Sequence, residues 1–295
     1  MLLSRALIKS FLPARAKRSH KGVFGRVLVI AGSEKMSGAA VLCARATLRV
    51  GAGITALALP KSCQCIAAAA LPEMLTVPLP ERKGLLSKTA LLKLEDFIAI
   101  FSPSLILLGP GFADHAFLLQ FLHQCSLPCV IDAEALNALA KEKDFSYLKM
   151  SSICTPHPAE MRRLIQKPIS EEKKQRILYA KELSQKTGGV CLLKGFETVI
   201  TDGKKTYINT TGGPALAKGG SGDVLAGMIA GLWAQIGTAE GFNNASALKA
   251  AACGVYLHGL CGDLAAKKLT DRCVLAGDLL NNLPDAFRQV LYANK

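Results

Sequence analysis

Short apolar runs alternate with stretches of helical periodicity from residue 26 onward. Arg26–Ile30, 54–59, Leu105–Leu108, Cys129–Ile131 and Val190–Leu193 are too short for helices and nearly free of polar positions, the pattern of strands buried on both faces. Between them, apolar residues recur at helical spacing over 38–50, 62–71, 87–100, 114–125, 134–141, 159–165 and 171–186. This alternation predicts an α/β fold with a mostly parallel sheet covered by helices. Near residue 200 the pattern changes. Residues 198–201, a turn at Asp202-Gly203 and residues 205–208 read as an antiparallel hairpin at the sheet edge. Helices then follow over 222–235, 242–269 and 275–292, and a further strand is expected near 152–154. No linker, repeat or low-complexity tract interrupts residues 1–295, so one domain is expected.

Composition narrows the class. Half of the 295 residues are hydrophobic and 20% are charged, which excludes general disorder. The longest uncharged apolar stretch, residues 97–113, is broken by Ser102, Pro103, Ser104, Gly109, Pro110 and Gly111, so no membrane span is expected. The ten cysteines show no CxxC and no histidine at zinc-finger spacing, and read as buried small side chains in a reducing cytoplasm. Of the net charge of +14, half comes from Arg5, Lys9, Arg15, Lys17, Arg18, Lys21 and Arg26. Residues 1–18 are read as a solvated basic arm rather than a targeting segment. Aromatic residues are only 6% and are not interleaved with the basic ones, so no nucleic-acid partner is expected.

Candidate chemistry gathers in strand-end loops. Gly219-Gly220-Ser221-Gly222-Asp223 precedes an apolar helix, and glycines there let backbone N–H groups converge on an anion at the helix start. Asp223 then has two readings, a helix cap or a base that deprotonates a hydroxyl attacking a phosphoryl group. Lys194-Gly195-Phe196-Glu197-Thr198 follows the run 190–193, where a lysine can meet phosphate, although an ordinary turn fits equally. Thr155-Pro156-His157-Pro158-Ala159-Glu160 fixes a histidine between two prolines, with Glu160 a helix cap. Gly109-Pro110-Gly111, the small-residue loop before Ala39, and Asp132–Asn137 complete the set. Gly-x-Gly-x-x-Gly and the P-loop pattern are both missing.

In this order the stretches resemble the ADP/ATP-dependent NAD(P)H-hydrate dehydratase family, from about residue 18 to 290. The match also includes residues 20–30, Ser37–Ala40, Gly51-Ala52-Gly53 and Val255–Gly259. The resemblance implies a ribokinase-like three-layer α/β/α sandwich. It implies dehydration of the hydrated cofactors NADHX and NADPHX (their S-epimers), with ADP or ATP as phosphoryl donor and Mg2+ present, its ligands unassigned. It places nucleotide on Lys194, Gly195, Phe196, Glu197, Thr198, Gly219, Gly220, Ser221 and Gly222. Substrate falls near Ala39, Gly111, His157 and Asp223, with Asp223 the catalytic base. A cytoplasmic homotetramer is implied, as is a stand-alone dehydratase, because the epimerase domain preceding this one in many bacterial relatives finds no room here. Lys218, Gly213 and Glu134 depart from the residues usual in relatives, and Lys218 adds charge beside the glycine loop or points to solvent. The alternatives are a ribokinase-like kinase of a vitamin precursor and a non-catalytic basic binding protein. The combination of motifs favours the dehydratase.

Overall fold

The computed structural model describes residues 1–82, 85–142, 145–148 and 151–292. In chain order its strands are β1 (Arg26–Ile30), β2 (Ile54–Pro60), β3 (Leu75–Leu79), β4 (Glu81–Arg82), β5 (Leu85–Leu86), β6 (Leu105–Leu108), β7 (Cys129–Ile131), β8 (Ser152–Cys154), β9 (Val190–Leu193), β10 (Val199–Thr201) and β11 (Thr206–Ile208). The helices are α1 (Arg5–Phe11), α2 (Ser37–Arg49), α3 (Gln64–Ala70), α4 (Lys88–Phe101), α5 (His115–Gln124) and α6 (Glu134–Leu139). They continue with α7 (Pro158–Ile165), α8 (Lys173–Thr187), α9 (Ser221–Glu240), α10 (Asn244–Cys273) and α11 (Ala276–Tyr292).

Nine strands form one sheet in the order β11-β10-β9-β8-β7-β6-β1-β2-β3, parallel from β3 to β9, with β10 and β11 antiparallel at one edge. The short β4–β5 hairpin stands apart. Side-chain alternation explains why the central runs lack polar positions. In β1, Val27 and Val29 join the core under α2, α9, α10 and α11, while Leu28 and Ile30 join the opposite core under α4 to α8. The chain winds outward from β1 through β2 to β3, then restarts at β6 on the other side of β1. A crevice therefore opens between the carboxyl ends of β1 and β6.

Against α2, α9 packs at backbone contact. A Cβ on Gly227 would stand 2.3 Å from the carbonyl oxygen of Cys43, and one on Gly231 would stand 2.4 Å from that of Thr47. Thr47 Oγ1 spans the seam, donating to the Gly227 carbonyl at 3.1 Å.

Two expectations need correction. Residues 1–18 are not wholly a solvated arm. Leu3 is buried and its N–H donates to Ile208 at 2.9 Å, while α1 buries Ile8 completely. A count of basic residues says nothing of the apolar side of α1, where Leu7 and Ile8 pack on the core. The edge strand β3 was also missed, because Pro78 interrupts its pattern; an edge strand tolerates proline, which cannot donate to a further neighbour.

Candidate active site

Three neighbouring parallel strands each place a polar residue directly beyond their last apolar position. Asp132 follows β7, Thr155 follows β8 and Lys194 follows β9. They form one hydrogen-bonded row, in which Lys194 Nζ donates to Asp132 Oδ1 at 2.9 Å and Thr155 Oγ1 donates to the same oxygen at 2.6 Å. Glu160 Oε2 lies 3.7 Å from Lys194 Nζ. Burial alone would lower the Lys194 ammonium, but Asp132 and Glu160 outweigh it and hold it above the ordinary lysine range.

The start of α9 faces this row. A Cβ on Gly222 would stand 3.7 Å from Lys194 Nζ. Gly220 is the N-cap at φ 88°, a left-handed conformation, and it supplies no side chain to the helix end. Ser221 N–H reaches Lys218 O at 3.3 Å, whereas no acceptor among the described residues takes the N–H groups of Gly222 and Asp223. Open N–H groups at a helix start are chemically suited to receive an anion. Asp223 occupies the third helical position and makes no side-chain hydrogen bond among the described residues, so the cap reading falls away. Burial and Asp132 push its carboxyl up, Lys194 pulls it back, and the balance is about 6. Glu160 is pushed up by burial, opposed by Lys194 and reinforced by Asp132, to about 7.

Behind this helix start, buried His258 brings Nε2 to 3.0 Å from the Ser221 carbonyl and 3.2 Å from Ser221 Oγ. Burial pushes this imidazole down to about 4 and keeps it neutral. The Cys43 thiol donates to the Asp223 carbonyl at 3.2 Å, tying α2 to the same turn.

Across from this row, Ala39 in the first turn of α2 meets Gly111, where a Cβ would stand 2.9 Å from that of Ala39. The loops beyond β1 and β6 are joined by Gly32 N–H donating to Pro110 O at 2.8 Å. Ala39 and Gly111 thus sit at the crevice where the winding reverses. His157 is the N-cap of α7. Its Nδ1 accepts from the N–H groups of Ala159 at 3.1 Å and Glu160 at 3.4 Å, and its own N–H donates to Glu160 Oε2 at 2.8 Å. Nδ1 is thereby spent as an acceptor, leaving Nε2 as the N–H of the neutral, half-exposed ring. Burial and the charges of Lys194 and Arg163 lower its affinity for a proton.

Phe196 is 87% exposed, and Glu197 pairs with Lys173 at 2.8 Å instead of turning to the start of α9. Thr198 closes its loop by donating to Gly195 O at 2.8 Å. Lys218 reaches the Arg272 carbonyl at 2.9 Å, and Glu134 meets His115 at 2.6 Å. Asp132, the partner of Lys194, is the main feature the sequence reading left unassigned. Its signal was its position as the first residue past a buried strand.

Among the described residues no group of three or more His, Cys, Asp or Glu side chains is arranged to hold a metal ion. Asp132 spends one oxygen on Lys194 and Thr155, and the ammonium occupies the centre of the carboxylates. These residues form no metal cage of their own. They are compatible with Mg2+ arriving on nucleotide phosphates, the usual habit of an ion that keeps waters and takes few protein ligands.

A doubly wound sheet with a switch-point crevice, facing a helix start opened by glycines, defines a protein of the ribokinase-like class. The Carb_kinase family model, described as NAD(P)H-hydrate dehydratase, matches residues 27–285, and the chain belongs to that family. It is 40% identical over 301 residues to the bifunctional NAD(P)H-hydrate repair enzyme Nnr of Moorella thermoacetica, covering 98% of this chain and 54% of that protein. The chain spans about half the length of the bifunctional relatives it matches. It is 34% identical over 288 residues to the ADP-dependent (S)-NAD(P)H-hydrate dehydratase of Bacillus subtilis, covering 96% of each. The crystal structure of the B. subtilis ADP/ATP-dependent enzyme, co-crystallised with ATP and Mg2+, superposes with a TM-score of 0.80 at 29% identity over 98% of each chain.

Proposed function

We propose that this chain converts the S-epimers of NADHX and NADPHX to NADH and NADPH at the expense of ADP or ATP. The observation that carries the reading is the Asp223 carboxylate, without a hydrogen-bond partner among the described residues, at an open helix start and beside the Lys194 ammonium. Nucleotide phosphate lies over Gly219–Gly222, its charge met by the Gly222 and Asp223 N–H groups and by Lys194. The loop Gly195–Thr198 carries the rest of the nucleotide, and the hydrated nicotinamide lies toward Ala39, Gly111 and His157.

Asp223 accepts the proton of the ring hydroxyl as its oxygen bonds to the terminal phosphorus, and the bond to the leaving nucleotide oxygen breaks. With its carboxyl at about 6, Asp223 is mostly ionised at neutral pH and still basic enough to take that proton. Phosphate then departs with the C–O bonding pair, and loss of a proton from the adjacent carbon restores the ring double bond. Mg2+ bound with the nucleotide would neutralise phosphate charge.

Ten free cysteines support a reducing, cytoplasmic setting. No helix among the described residues is long and apolar enough to cross a membrane. The assembly proposed is a homotetramer, which light scattering measures directly. The functional test is incubation with NADHX and ADP or ATP: NADH absorbance returns only with nucleotide present. Phosphorylated substrate accumulating without NADH would point instead to a kinase.

A further inference from the structure

The basic N-terminal segment, which the catalytic reading leaves unused, lines a cavity of about 1030 Å³ at the other end of the molecule. The cavity opens between residues 9–15, the last turn of α2, the later turns of α9 and the end of α11. From Asp223 to Gln235, which lines it, is about 18 Å along α9 at about 1.5 Å per residue. Lys9, Arg15 and Arg49 contribute three positive charges to its wall. No Asp or Glu stands among the described residues that line it, and none of the three cations meets a carboxylate among the described residues.

Arg15 is built in place. Its Nη1 donates to Gly51 O at 3.1 Å and Gln235 Oε1 at 2.8 Å, and its guanidinium carbon sits 3.6 Å from the centroid of the Phe24 ring. The Gln235 amide is fixed in turn, with Nε2 donating to Val50 O at 3.0 Å and Gly231 O at 2.8 Å. A Cβ on Gly51 would stand 2.3 Å from Arg15 Nη1, so the backbone makes room for the guanidinium. Burial lowers the Arg15 pKa from its ordinary value, the mark of a charge partly stripped of water with only neutral partners. Such a charge, oriented in advance, binds an anion at smaller entropic cost than a free surface arginine. The remaining lining is largely apolar and includes Leu12, Phe287 and Tyr292. The volume reaches the upper end of ligand pockets, which run from about 300 to about 1,000 Å³.

We propose that this cavity binds a small amphipathic anion, with its phosphate, sulfonate or carboxylate group among Lys9, Arg15 and Arg49 and an aromatic or acyl body against Leu12, Phe287 and Tyr292. This site is separate from the catalytic one and does not depend on the proposed reaction. The test uses the fluorescent probe anilinonaphthalene sulfonate on the full chain with ADP saturating. Wild type shows one saturable site. The Lys9→Glu/Arg49→Glu pair weakens probe binding about tenfold or more without changing ADP affinity, and the neutral Lys9→Gln/Arg49→Gln pair falls between. Both residues are exposed, so folding is preserved. A control pair on the β10–β11 turn, Lys204→Glu/Lys205→Glu, makes the same charge change and leaves probe binding unchanged. No saturable binding to wild type, displacement of the probe by ADP, unaltered binding in the Lys9/Arg49 pairs, or an equal loss in the control would each overturn the proposal.

Discussion

Helices α7 and α9 both begin at the edge of the candidate site, and they treat their N-terminal N–H groups in opposite ways. At α7, Pro158 removes one donor, His157 Nδ1 takes two more, and Glu160 returns a bond to the cap residue. Nothing is left over for a ligand. At α9, Gly220 provides no side chain and two N–H groups remain open among the described residues. A helix that completes its own cap contributes rigidity to a site, whereas one that leaves its cap open contributes binding energy.

The sharpest way to break this contrast is Asp223→Asn. It keeps the shape and removes the basicity, so turnover of NADHX should fall on the order of a hundredfold or more. ADP affinity should hold or rise, because a negative charge beside the phosphates has gone. Near-normal turnover would remove Asp223 from the base role. Gly220→Val acts on the open cap itself. Valine is strained at φ 88° and its Cβ would meet Leu42 and Ala276 within 3 Å, so ADP affinity should drop by about tenfold or more, read by calorimetry. A folded variant with unchanged affinity would mean that phosphate lies elsewhere. Lys194→Ala should weaken nucleotide more than NADHX. The reverse order in calorimetry would mean that the two halves of the site are exchanged.

Smaller effects fall on stability. The Asp223 carboxyl is raised in the fold from its ordinary value of 3.8 to about 6. Between those values the folded chain holds a proton that the unfolded chain has released, so this group's contribution to stability declines as pH rises through that window. The stability advantage of Asp223→Asn over wild type should therefore grow from pH 4 to pH 7 in urea titrations; a constant difference would show that the carboxyl titrates normally. Last comes His157→Ala, which opens the cap of α7. It should cost about 0.5–2 kcal/mol in urea denaturation, with ADP affinity hardly moved. A loss of nucleotide binding as large as that of Gly220→Val would erase the distinction between the two helix starts.

Much of this was readable along the chain. The central strands announced themselves because both faces are buried, and the glycine loop before α9 did so because few other residues reach the backbone angle at Gly220. What escaped was tertiary. Lys194 lies 62 positions from Asp132 in the chain, and no local pattern pairs them. Helix α9 runs to Glu240, past the expected end at 235 and through Gly237. Gly237 packs against the Phe242 ring, at the turn into α10, a contact that no local pattern announces. His258 and Ser221 meet only because α10 crosses beneath the start of α9.

The seam between α2 and α9 bears on how reactants could meet. With Gly227 and Gly231 pressed to the α2 backbone, neither helix can slide or rotate without a clash, so the pair moves as a single strut. Ala39 lies in the first turn of one member, and the open N–H groups of Gly222 and Asp223 lie in the first turn of the other. The span between the proposed substrate side and the proposed nucleotide side is consequently a constant of the scaffold, set when the core packs. Adjustment to a ligand falls instead to parts outside this seam, such as the loop that carries the exposed Phe196.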